Sequence, residues 1–135
     1  MKLMINQNQK ISEIIEKFNQ VFPFLKIEFF SNPINSFGNK KRNLIIYADK
    51  TLGECRTIVK QGELTVSPHM TVSDLENKFN SIYGLLVQVY RKSGKAWLET
   101  TLTDSWTLEE QNNQGRALSS EENKIINVFN KKNNL

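Results

Sequence analysis

Cys55 and His69 are the only cysteine and the only histidine in the chain, and a thiolate with an imidazole as its base is the one nucleophilic pair the sequence could assemble. That chemistry needs both side chains to converge, and their positions do not favour it. Cys55 follows Glu54 in a short helical stretch, where a small buried side chain is ordinary. His69 falls in a turn ahead of a helix, where exposure is expected. A metal centre is no better supplied, because one His and one Cys fall short of the three or four convergent ligands a site requires. Carboxylate pairs occur at Glu99/Asp104 and Glu109/Glu110; a strand end and a helix start account for them, the latter favoured by the helix dipole. The six glycines are scattered singly, so no phosphate-cradling loop is present. This inventory assigns no catalytic residue, no metal ligand and no cofactor, and disfavours an enzyme unless groups distant in sequence converge.

Basic and aromatic residues offer binding chemistry instead. Residues 1–61 carry a net charge of +5 and residues 62–135 a net charge of −1. Lys40-Lys41-Arg42 is the densest basic point, in a polar stretch with the loop punctuators Pro33 and Gly38. Such a loop can neutralise phosphates; the plainer account is a solvated loop that favours solubility. Trp97 and Trp106 both lie in the second half. On a strand over 96–102, Trp97, Glu99 and Thr101 share one face, and Ala96, Leu98, Thr100 and Leu102 the other. If the Ala96/Leu98 face is core, Trp97 points outward with Tyr90 or Arg91 nearby, as a contact surface would. If Trp97 is core, it is bulk.

With 135 residues, 39% of them hydrophobic, the chain suffices for one domain with a real core, or for two very small units. The lone cysteine rules out a disulfide framework. No apolar run approaches the roughly 18 residues of a membrane span, and the first residues lack the apolar stretch of a signal peptide. A soluble, cytoplasmic protein is expected. Sixteen Asn and 14 Lys against three Ala read as codon bias rather than as a functional tract.

The elements that would position these residues come from an internal duplication. Residues 2–23 written over 63–84 match identically at Leu3/Leu64, Ser12/Ser73, Lys17/Lys78, Phe18/Phe79 and Asn19/Asn80, with conservative pairs such as Ile5/Val66, Ile11/Val72 and Ile14/Leu75. The matches fall where a strand followed by an amphipathic helix needs them. In the second copy, 63–67 alternates as a half-buried strand. Thr71 then offers an N-cap; Val72, Leu75, Phe79, Ile82 and Tyr83 follow at helical spacing, and Gly84 supplies a C-cap. The first copy repeats this with Ile11, Ile14, Ile15, Phe18, Val21 and Phe22, and Pro23 as terminator.

Beyond the helices, Phe24 reads as a one-residue insertion, which sets Leu25/Leu85, Ile27/Val87 and Phe29/Val89 on one strand face and Lys26/Leu86, Glu28/Gln88 and Phe30/Tyr90 on the other. Arg91-Lys92-Ser93-Gly94-Lys95 is a hairpin turn and 96–102 the return strand. Thr107-Leu108-Glu109-Glu110 opens a short helix that Gly115 could close. In the first copy the return strand is 43–47, and Thr51-Leu52-Gly53-Glu54 matches the second element. Each copy is strand, helix, strand, strand, short helix, with a parallel strand pair expected across each strand–helix–strand crossover. The expected fold is α+β: repeats over 1–61 and 62–116 sharing a core, and 117–135 a C-terminal helix, capped by Ser119/Ser120 and striped by Ile125, Ile126 and Phe129, with a frayed tail.

The element made by Thr71, Val72, Leu75 and Phe79, then Gly84, the strand 85–90 and Thr107-Leu108-x-Glu110 resembles repeat units of small uncharacterised bacterial proteins. The resemblance covers 63–110 well and 2–54 loosely. Its motifs are structural, and it implies the repeated architecture and no activity.

The leading expectation is a non-enzymatic interaction module whose partner is a protein, including a second molecule of itself, met through the aromatic face or the terminal helix. The alternative is nucleic-acid binding, in which the two basic hairpin tips, Lys40-Lys41-Arg42 and Arg91/Lys92/Lys95, straddle a backbone while Tyr90 and Trp97 stack on bases. A small enzyme without a local motif is the third class. No membrane partner is expected.

Overall fold

A computed structural model describes residues 1–31, 43–44, 49–55 and 60–133, with backbone alone at Ser31, Asn43, Leu44, Cys55 and 121–133. In chain order the elements are β1 (Lys2–Ile5), α1 (Ile11–Val21), β2 (Leu25–Ser31), β3 (Asn43–Leu44), α2 (Leu52–Cys55), β4 (Gly62–Thr65), α3 (Val72–Tyr83), β5 (Leu86–Ser93), β6 (Ala96–Glu99) and α4 (Leu108–Asn133), with a single 3₁₀ turn at Thr101–Thr103. The fold is α+β. The first return strand is described only at Asn43–Leu44, and Lys40, Lys41 and Arg42 lie outside the described residues.

The strands form two sheets, one of β1 and β4 and one in the order β3-β2-β5-β6. Every pairing among the described residues is antiparallel, which corrects the expected parallel pair. Each of α1 and α3 carries the chain from one sheet to the other, so β1 pairs with β4 and β2 with β5. Alternation marks which side chains are buried but not which neighbour takes the backbone bonds. Leu3 stands opposite Leu64 in the small sheet, and Glu28 opposite Gln88 in the large one.

Helix α1 buries Ile11, Ile14 and Phe18, and α3 buries Val72, Leu75, Phe79 and Tyr83, stripes that meet the strands at Leu3, Ile5, Ile27, Phe29, Leu64, Val87 and Val89 in one core drawn from both halves. Phe29 and Phe79 meet edge to face at 5.9 Å. Each such side chain contributes about 1.5–3 kcal/mol by leaving water. Thr71 caps α3 by accepting from Asp74 N–H at 3.0 Å, and Gly84 ends it at φ 65°, where a side chain would be strained.

Each Thr-Leu-x-Glu element clasps the loop before a long helix. Ile11 N–H donates to Lys50 O, Leu52 N–H to Gln9 O and Gly53 N–H to Gln7 O. Val72 N–H donates to Trp106 O, Leu108 N–H to Met70 O and Glu109 N–H to Pro68 O. These are the same three bonds at the positions the sequence alignment equates. In both boxes the threonine hydroxyl accepts from the glutamate N–H, at 3.2 Å for Thr51/Glu54 and 3.1 Å for Thr107/Glu110.

Gly115 does not close a short helix, and Ser119 does not open another: α4 runs unbroken through both. A Cβ at Gly115 would lie 2.9 Å from Phe24 Cβ and 3.2 Å from Arg91 Cγ, so the glycine permits α4 to press onto the sheet. Asn112 Oδ1 accepts from Phe24 N–H at 2.9 Å, and the buried Ser119 Oγ from Gly94 N–H at 3.3 Å. Tertiary packing overrides the local stop signal here. No helix of the described residues is long and apolar enough to cross a membrane.

Candidate interaction surface

The four-stranded sheet has two unlike faces. Leu25, Ile27, Phe29, Val87 and Val89 turn toward the helices and are buried. In antiparallel pairs, residues directly opposite share a face. The register therefore places Lys26, Tyr90 and Glu99 in one row of the outer face, Glu28 beside Gln88 in the next, and Lys92 beside Trp97 at the hairpin end.

The outer face is organised around Lys26. Its ammonium lies 5.1 Å from the centre of the Trp97 ring and 5.4 Å from that of Tyr90, and it pairs with Glu28 at 3.3 Å. A cation over an aromatic face is attracted by the ring quadrupole, which ties the ring to Lys26. Trp97, Lys26 and Lys92 are all partly exposed. Lys26 was not singled out from the sequence; the signal that would have found it is the β2/β5 register, which only the structure supplies.

Of the residues expected at the second hairpin tip and the aromatics expected beside it, the structure brings Tyr90, Lys92 and Trp97 to one face and separates the rest. Strand β5 runs to Ser93, which pairs with Ala96, so the turn is only Gly94-Lys95. Gly94 sits at φ 61° and no non-glycine residue among those described has positive φ, the pattern of a type II′ turn. The five-residue turn is thus corrected to two, and Lys95 alone marks the tip, exposed. The short turn matches the twist of the flanking strands, which lets pairing continue past Arg91.

Arg91 turns to the opposite face from Trp97. Its guanidinium lies 5.6 Å from the Trp106 ring centre, and Nη1 donates to Gln111 Oε1 at 2.8 Å. Gln111 is fully buried and donates in turn to Thr103 O at 2.7 Å and Thr103 Oγ1 at 2.8 Å. Arg91 and Trp106 tie α4 to the sheet through Gln111 and the ring contact. The Ala96/Leu98 face is not core either, since both residues are exposed.

Strand β6 ends the sheet on this side. Beyond Glu99, the buried Thr100 takes over the ladder, its N–H and hydroxyl both donating to Val89 O at 3.4 and 2.8 Å, while Glu76 Oε2 accepts from Val89 N–H at 3.0 Å. Antiparallel alternation then turns the backbone groups of Ala96 and Leu98 toward β5, and those of Trp97 and Glu99 away from the sheet.

The remaining candidates stand apart. His69 is exposed, with Nδ1 3.8 Å from Glu109 Oε2, and the side chain of Cys55 lies outside those described. Among the described residues no three His, Cys, Asp or Glu side chains gather as metal ligands do. Glu110 is committed to Thr107. Among the described residues two titratable groups are shifted, neither on the surface described above: hydrogen bonds from the backbone and hydroxyl of Thr51, helped by Lys50, lower the Glu54 carboxyl, and burial raises the Tyr83 phenol.

No family model, curated protein or solved structure matches the chain.

Proposed function

We propose that the chain is a non-enzymatic cytoplasmic interaction module that binds another protein through the outer face of its four-stranded sheet. The observation that supports this reading is Trp97: a large ring, partly exposed on an edge strand, with the Lys26 ammonium 5.1 Å from its centre. Aromatic anchors of this kind dominate the energetics of protein contacts, because they bury much area at little cost in rotamer freedom.

Charge favours protein over nucleic acid. Lys26 and Lys92 share the face with Glu28 and Glu99, so its described strand residues carry no net charge, unlike the basic footprint that phosphate binding requires. The lone cysteine supports a reducing compartment.

The test is affinity capture from the cell that makes the protein, comparing the natural chain with Trp97→Ala at matched thermal stability. Partners retained by the natural chain and lost by the variant are expected. The same proteins on both baits would overturn the reading, and salt-dependent binding of a labelled oligonucleotide would favour nucleic acid instead.

A further inference from the structure

We infer that the partner met by β6 is a second molecule of the same chain, joined edge to edge in antiparallel pairing to give one eight-stranded sheet; this rests on the reading of Trp97 as a contact residue. The backbone groups of Trp97 and Glu99 point away from the sheet, and among the described residues nothing bonds to them on that side. An unpaired edge is a template for another strand. On either side of this edge, Leu98 is 43% exposed and Ala96 is exposed with it, while Trp97 projects from the outer face.

The edge is complementary to itself in one register. Twofold antiparallel pairing must match outward-facing residues, which leaves three choices: Trp97 opposite Trp97 of the second molecule, Trp97 opposite Glu99, or Glu99 opposite Glu99. The last sets two carboxylates against each other, which is destabilising. The second leaves Lys95 without a counter-charge. The first brings Glu99 of each molecule within reach of the turn residue Lys95 of the other, two ion pairs flanking a cross-strand tryptophan pair on the axis, and sets each Leu98 against Ala96 on the other face. Cross-strand aromatic and opposite-charge pairs both favour this arrangement. The edge is only four residues long, so the association is reversible and concentration-dependent.

Sedimentation equilibrium over a range of concentrations tests it. A monomer–dimer equilibrium is expected, weakened at least about tenfold by Glu99→Lys, which sets like charges against Lys95 at both ends of the pairing. The exchange Lys95→Glu with Glu99→Lys restores it, because each new acid again faces a new base. Zero-length crosslinking of mixed isotope-labelled and unlabelled chains should join Lys95 of one molecule to Glu99 of the other. Circular dichroism confirms that each variant is folded. A natural chain that stays monomeric at its highest soluble concentration would overturn the inference, as would a dimer indifferent to Glu99→Lys or not restored by the exchange. If the chain is monomeric but still captures a foreign protein through Trp97, the inference falls and the interaction reading stands.

Discussion

Gly115 lies directly against Phe24: a Cβ on the glycine would come within 2.9 Å of Phe24 Cβ and 3.1 Å of Phe24 O. In an ordinary helix interior, replacing glycine by alanine stabilises by about 1 kcal/mol. Here the sign reverses, because neither the Phe24 backbone nor its Cβ can move without shifting the start of β2. Gly115→Ala should destabilise the protein by about 1–3 kcal/mol, the usual range for overpacking, read from urea unfolding midpoints. A variant as stable as the natural chain would show that α4 does not approach Phe24 this closely.

Gln111 links three parts of the molecule, accepting from Arg91 and donating to Thr103. Gln111→Ala should cost about 1–3 kcal/mol, since it leaves buried groups unpaired. It should also change Trp106 fluorescence, because the arginine stacked on that ring loses its anchor; Trp97→Phe in the same background isolates the signal.

Thr71 and Thr107 each cap a helix and bridge one another. Alanine at either should cost about 1 kcal/mol. The double variant should depart from the sum, as expected of residues in direct contact, and a double-mutant cycle in urea measures the coupling.

Two groups give pH dependence of opposite sense. The Tyr83 phenol is raised by burial, so the folded state keeps its proton after the unfolded chain has released one. Its stabilising effect is complete below the ordinary tyrosine range and is lost as pH rises through that range toward the folded value. Tyr83→Phe should flatten the alkaline limb of the stability profile. The Glu54 carboxyl is lowered, so its contribution is present above the ordinary carboxylate range and lost as pH falls through the folded value. Nuclear magnetic resonance titration should show Glu54 moving back up in Thr51→Ala.

Charge reversal at Lys40, Lys41 and Arg42 separates the binding readings. Capture of a protein through Trp97 should be indifferent to it, whereas oligonucleotide binding would be abolished at moderate salt.

Much of the local structure could be read from the residues themselves. The buried stripes of α1 and α3, the Thr71 cap, the Gly84 stop and both Thr-Leu-x-Glu boxes are short-range features, decided by spacing and capping chemistry. The assignment of Lys26, Glu28 and Tyr90 to the side of the sheet away from Ile27 and Phe29 also follows from alternation once the one-residue adjustment at Phe24 is made, whereas alternation leaves Trp97 open between the two faces. Strand partners were another matter: β1 and β2 are individually plain, but a strand's pattern says nothing about whose backbone completes it. The end of α4 was misread for a related reason. Gly115 has the chemistry of a terminator, and only its approach to Phe24 explains why it sits within a helix. The cluster around Lys26 was hidden because its members come from three strands.

The strand pairing bears on how the chain folds as it is synthesised. Among the described residues β1 pairs with β4 alone, and the longest ladder of β2 is with β5, so most of the sheet in the first half awaits residues made about sixty positions later. A ribosome-bound chain that has emerged only to residue 61 would hold two formed or forming helices over apolar strands still lacking their neighbours. That stage is the one at which nascent chains on adjacent ribosomes could exchange strands, or a chaperone would find its substrate.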